Sequence, residues 1–188
     1  MKAAAKVFLA EGYAGARMQQ IADEANINKA MLHYYFKSKE KLMQQVFTNK
    51  FMTFFPRVQK AFQSGADFEE ILSTIIDGYL DLLEENPRLP LFILDTMHRN
   101  PEFIKFLPDL PGDMLIKGIE GLIERGEIRP IKAHHLLLNI LSLCIFPFLV
   151  RPMFKKVFSV DDAFYEQIIK ERKAEVFDFV KKSIQNEG

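Results

Sequence analysis

The residues best suited to chemistry lie between positions 17 and 41. Lys29, His33, Tyr34 and Tyr35 fall in one short stretch, and Lys37, Lys39 and Lys41 follow at alternate positions. Ammonium groups interleaved with polar aromatics suit a polyanion. Lysines pair with phosphates or guanine edges, and a tyrosine ring can pack on a thymine methyl in a major groove. The charge distribution agrees. Residues 1–50 hold eight Lys and Arg against four Asp and Glu, a net +4, although the whole chain balances 25 against 25. The remainder is therefore −4, and a basic head on an acidic body implies a local polyanion contact.

Other reactive types form no comparable constellation. His134 and His135 are adjacent, so on a helix they point about 100° apart and make a poor ligand pair. Cys144 is the one cysteine and has no charged residue within four positions, which reads as an inert buried thiol and excludes a disulfide scaffold. There is no phosphate-cradling glycine loop, nucleophile elbow or zinc-hydrolase helix. No catalytic residue, metal site or cofactor is expected, and the chain does not read as an enzyme.

The basic cluster needs elements to position it. An apolar stripe at Met18, Ile21, Ala22 and Ala25 gives a helix over 18–25, and a second short helix spans 28–35. Asn26-Ile27-Asn28 lies between them, since Asn tolerates turn geometry and caps helices. This is helix-turn-helix spacing. A first helix through Ala3, Val7 and Phe8 is stopped by Gly12. A fourth, capped by Ser38, carries Leu42, Val46 and Phe47 onward, with Pro56 as a kink.

The stretch AKVFLAEGYAGARMQQIADEANINKAMLHYYFKSKEKL resembles the N-terminal domain of tetracycline-repressor-like (TetR) transcriptional regulators. The resemblance rests on Ala5-Val7-Phe8, Glu11-Gly12-Tyr13, Ile21-Ala22, Ala25, Ile27, Leu32, Tyr34, Phe36, Ser38-Lys39-Glu40 and Leu42. It implies an all-α fold, with a three-helix DNA-binding head over 1–48 and an all-helical ligand-binding and dimerisation domain over 49–188. It also implies residue roles. Arg17, Gln19, Lys29, Ala30, Met31, His33, Tyr34, Tyr35, Lys37 and Lys39 are the expected DNA contacts, with Lys39 on a phosphate. Two departures stand out. Asn26 occupies the turn where the family often has Gly, and Ala16-Arg17 replaces the usual Thr or Ser cap, a loss of about 1 kcal/mol. Whether residues precede Met1 in the native chain is left open.

Beyond residue 50 the pattern is helical throughout, for nine or ten helices in all and no sheet. Hydrophobic residues make up 48% of the 188, which supports a real core and excludes global disorder. Fifteen of the 18 Phe lie after residue 50, and Pro108 and Pro111 punctuate the middle. Aromatic and Met side chains form adaptable apolar cavities. Tyr79, Phe92, Asp95, Thr96, His98, Phe103, Asn139, Ser142 and Phe146 are the expected ligand contacts. The most apolar run, 136–150, is too short for a membrane span and is interrupted by Asn139, Ser142 and Pro147. It reads as a helix over 133–150 that Pro152 ends, and a cytoplasmic location follows. With the last helix it is expected to form a homodimer interface through Leu143, Val150, Val176, Phe177, Val180 and Ile184. The reading is a ligand-responsive repressor, released from a pseudo-palindromic operator by a small apolar or aromatic molecule. The alternative is a helical ligand-binding or protein-interaction module without operator binding.

Overall fold

The computed structural model describes residues 1–106 and 112–185. Among the described residues there are ten α-helices, one 3₁₀ helix and no strand. The chain divides into two compact units: Met1–Met52 with Arg88–Asp109, and Thr53–Pro87 with Leu110–Gly188. The first unit takes in more than the head expected over 1–48. The proline-marked loop at Pro108 and Pro111 lies outside the described residues.

The first unit contains α1 (Lys2–Gly15), α2 (Met18–Glu24), α3 (Lys29–Phe36), α4 (Lys39–Phe51), α7 (Leu89–Arg99) and the 3₁₀ helix Pro101–Phe106. Its core is Val7, Phe8, Ile21, Ala22, Leu32, Leu42, Met43 and Phe47, all buried. Gly12 takes φ +70°, yet the chain makes one more turn to Gly15 instead of stopping. Phe92 of α7 stacks on Phe47 at 5.6 Å, and Phe103 meets both Phe47 and Tyr13. These rings bind α7 and the 3₁₀ helix to the head. They are packing residues here, although sequence reasoning expected Phe92 and Phe103 at a ligand.

The second unit contains α5 (Phe55–Gln63), α6 (Phe68–Glu85), α8 (Gly112–Glu124), α9 (Ala133–Phe158) and α10 (Asp162–Ile184). Pro56 is not a kink in α4. That helix ends at Phe51, and Pro56 sits in the first turn of α5, where its missing N–H costs nothing. The core is built from Ile71, Leu72, Ile76, Leu80, Ile119, Leu122, Leu136 and Ile140 with the inner face of α10. Asp67 and Asp161 cap α6 and α10, accepting from the amides of Glu70 and Phe164, each at 2.8 Å.

Helix α9 overturns one expectation. It runs 26 residues, through both Pro147 and Pro152, and ends at Ser159 in a left-handed turn. A proline inside a helix frees the carbonyl four residues earlier. For Pro147 that is the carbonyl of Leu143, and the Arg172 guanidinium of α10 donates to it at 2.9 Å. The Tyr165 hydroxyl donates to the carbonyl of Pro147 at 2.6 Å. Polar groups of α10 thus hold the helix through its first proline. Among the described residues α9 is the one helix long and apolar enough to cross a membrane, and only 17% of its most apolar window is buried within the chain.

Candidate nucleic-acid interface

Helix α3 is prepared by its neighbours. Asn28 caps it, the side-chain oxygen accepting from the Ala30 amide at 2.8 Å. Asn26 takes φ +52°, a left-handed conformation Asn tolerates, so the turn forms without glycine. Leu32 alone of α3 is buried, and it anchors the helix to the head. At the start of α2, the Gln20 side chain accepts from the Arg17 amide at 2.9 Å. That is the returning half of a capping box. The forward half is missing, because a guanidinium carries no acceptor.

The outward face of α3 is Lys29, Ala30, Met31, His33, Tyr34 and Tyr35, all exposed. Tyr34 is 79% exposed and Tyr35 66%, and their rings meet edge to face at 5.4 Å. Such exposure of two adjacent aromatics in a folded head has no packing explanation. Arg17, Lys37 and Lys41 are exposed around it. None of Lys29, Lys37 and Lys41 has an ion-pair partner among the described residues, so their charge is available to phosphates. Gln19 is exposed too, its amide donating to Asp23 at 2.7 Å. Nine of the ten residues expected at DNA therefore share the solvent side of this head.

Lys39 differs. It is half-buried, and its ammonium donates to the carbonyls of Tyr13 at 2.8 Å and Ala16 at 3.2 Å. It also lies 4.4 Å from the centre of the Tyr13 ring. The Tyr13 hydroxyl donates to Glu40 at 2.6 Å. That bond holds the Glu40 carboxyl below its ordinary value, helped by the Glu40 amide and Ser38. Burial and the nearby carboxylate push the Tyr13 hydroxyl above its ordinary value. Sequence reasoning could see the lysine but not the carbonyls that occupy it.

The other expected sites are dispersed. Asp95 pairs with Arg99 at 2.7 Å on the surface of α7, and the buried Thr96 hydroxyl donates to the Phe92 carbonyl one turn back. His98 is exposed on the same helix. In the second unit, Tyr79 is half-buried and Cys144 buried, and burial raises the hydroxyl and the thiol each to about 12. Asn139, Ser142 and Phe146 project from the exposed side of α9 and do not converge with Tyr79. Of the residues expected between two chains, Leu143, Val150 and Phe177 are half-buried. Val176, Val180 and Ile184 are buried in their own chain, between 1% and 2% exposed. They lie on the α10 face that packs the core, so they cannot also face a partner. The outward apolar residues instead include Leu138, Phe146, Met153 and Val157 of α9 and Phe164 and Phe179 of α10. His134 and His135 are exposed, and no group of three metal-ligating side chains occurs among the described residues.

Residues 1–46 match the family described as bacterial regulatory proteins, tetR family. The HTH-type transcriptional repressor NicS of Pseudomonas putida is 31% identical over 154 residues, covering 78% of this chain and 72% of the repressor. The fatty acid metabolism regulator protein of Bacillus subtilis is 24% identical over 135 residues, 68% of each chain. Among solved structures, the transcriptional regulator FadR from Bacillus subtilis, in complex with stearoyl-CoA, superposes with a TM-score of 0.73. It shares 19% identity over 95% of this chain and 94% of that one, which shows the common fold. A regulator family is not an enzyme class. With its capped, outward-facing α3, this chain is a DNA-binding transcriptional regulator and belongs to the tetR family of bacterial regulatory proteins.

Proposed function

We propose that the chain acts as a homodimeric repressor in the cytoplasm, released from a pseudo-palindromic operator by a small amphiphilic molecule. The observation that carries the reading is the solvent face of α3, where two exposed tyrosines stand among unpaired lysines. Two such heads related by a two-fold axis would enter major grooves one helical turn apart, about 34 Å. Tyr34, Met31 and Ala30 would meet base edges and methyls, and Lys29, Lys37 and Lys41 would meet guanine or phosphate. A ligand then acts by population shift. It favours an arrangement of the heads that does not fit the operator, and its effect is bounded by its differential affinity for the two states.

The two-fold partner would cover α9. Leu138 is 60% exposed, Phe146 58% and Met153 59%, an apolar face that one chain leaves in water. The same face accounts for a helix that has the length and hydropathy of a membrane span.

For the effector, the second unit offers an open groove of about 510 Å³ between α5, α6 and α8, inside the usual range for ligand sites. Phe62, Ile71 and Met114 give it apolar walls, and Lys117, Asp113 and Arg125 line it too, Arg125 being paired with Glu127 at 2.6 Å. Gly118 lets the Phe62 ring rest on the α8 backbone, since an added Cβ would fall 2.3 Å from that ring. An apolar body with an anionic end directed at Lys117 would suit this lining. The stearoyl-CoA bound by the FadR neighbour is a molecule of that kind. Selection of duplex DNA from a random pool, followed by a mobility shift with and without fatty acids, tests the whole reading. Recovery of a two-fold motif whose complex dissolves with ligand supports it, and no enriched motif counts against operator binding.

A further inference from the structure

The cation at the start of α4 has a role separate from phosphate contact. We propose that Lys39 is a positioning residue that closes the helix-turn-helix segment on itself and thereby sets the angle at which α3 meets DNA; this rests on the DNA-binding reading above. Tyr13 lies in the last turn of α1 and Ala16 is its C-cap, where a helix end leaves carbonyls without partners. The Lys39 ammonium fills both, at 2.8 and 3.2 Å. A cation there also complements the negative end of the helix dipole. Its remaining face is covered by the Tyr13 ring.

The positions in the chain make this a closure. Ala16 lies just before Arg17, the N-cap residue of α2, and Lys39 is the first residue of α4. The α2–turn–α3 segment, residues 17–38, lies between them. One side chain therefore joins the two ends of the recognition segment, and Tyr13–Glu40 at 2.6 Å doubles the joint with a neutral donor. The Ser38 hydroxyl accepts from the Lys41 amide at 3.2 Å, which fixes the direction in which α4 leaves. By contrast, Lys37 and Lys41 flank the joint, are exposed, and have no such duty.

The test separates positioning from phosphate contact by salt dependence. Duplex DNA bearing the selected motif is titrated over a range of potassium chloride with wild type, Lys39→Met, Lys39→Gln and Lys41→Ala. Methionine keeps an unbranched stem of similar length and removes both charge and donors; glutamine removes the charge and keeps an amide donor. Lys39→Met is expected to weaken binding about tenfold or more with an unchanged salt slope. Lys39→Gln should recover most of that loss, and Lys41→Ala should lower the slope by about one unit. The proposal is overturned if Met and Gln are equally poor and both lose a unit of slope, as for a phosphate contact. Amide hydrogen exchange of α3 without DNA provides the second readout. Faster exchange in Lys39→Met than in Lys41→Ala supports the closure, and identical exchange in the two refutes it even if the wild type binds no DNA.

Discussion

Helices α3 and α9 both carry large apolar side chains into water, and their cations are arranged in opposite ways. Around α3, Lys29, Lys37 and Lys41 have no ion-pair partner among the described residues and stand beside Tyr34 and Tyr35. On α9, Arg151 is tied to Asp162 at 2.9 Å and Glu166 at 2.5 Å, and Lys155 to Asp162 at 2.7 Å. Two of the three Lys and Arg charges of α9 are thus paired within the chain, Lys156 alone having no ion-pair partner among the described residues, and Leu138, Phe146 and Met153 form an exposed apolar face. Exposed aromatics among free cations suit a nucleic acid, while an exposed apolar face with most of its charge paired suits a second protein surface. The same local feature, an unburied hydrophobic residue, acquires its meaning from the pairing state of its neighbours.

The largest effect expected from breaking this contrast is on α9. Phe146→Asp should convert a dimer to monomer at micromolar concentration in sedimentation, because a partner would have to bury an unpaired carboxylate. Its far-UV circular dichroism should be unchanged, since Phe146 is 58% exposed in the single chain. Val176→Asp, at 1% exposure, should instead unfold the second unit outright. A Phe146→Asp protein that still sediments as a dimer would remove α9 from the interface.

On α3 the expected effect is smaller. Tyr34→Ala should cost about 1–3 kcal/mol of operator affinity and relax the preference at one or two base pairs, while leaving the salt slope intact. Competition among single-base operator variants measures it. Uniform weakening at every position would make Tyr34 a phosphate contact instead.

The smallest expected effect concerns pH. Glu40 has its folded value lowered, chiefly by the Tyr13 hydroxyl, so its contribution is present above its ordinary value of 4.5 and lost as pH falls through the lowered one. Tyr13 is raised from 10.0, so its contribution is present below pH 10.0 and lost as pH climbs through the raised value. Thermal stability should therefore be level from about pH 5 to 9 and fall on either side. Glu40→Gln should flatten part of the acid-side fall without changing the plateau by more than about 1 kcal/mol. An unaltered acid limb would show that other carboxylates govern it.

How legible this was from sequence depended on whether a signal was local. The caps at Asn28, Ser38 and Asp67 are one-residue signals, and each structural counterpart is a single hydrogen bond to an amide two or three residues on. The exposed face of α3 follows from 3.6-residue periodicity around Leu32. Lys39 escaped, because its partners are carbonyls 23 and 26 residues away and backbone acceptors leave no mark in composition. The continuation of α9 past Pro152 to Phe158 also escaped, because a proline reads locally as a stop. The inner and outer faces of α10 were also misassigned. Both are apolar, with Val176 and Val180 inside and Phe179 outside, and only packing on α6 and α9 distinguishes them.

The central claim is that α3 reads duplex DNA in a two-fold complex. The most direct measurement is fluorescence anisotropy of the wild-type chain on the selected duplex, set against a duplex carrying a single half-site. The account predicts two chains per full duplex, and a single half-site bound about 100-fold or more weakly, because the second head then loses its groove. Equal affinity for the two duplexes, at one chain each, would contradict it.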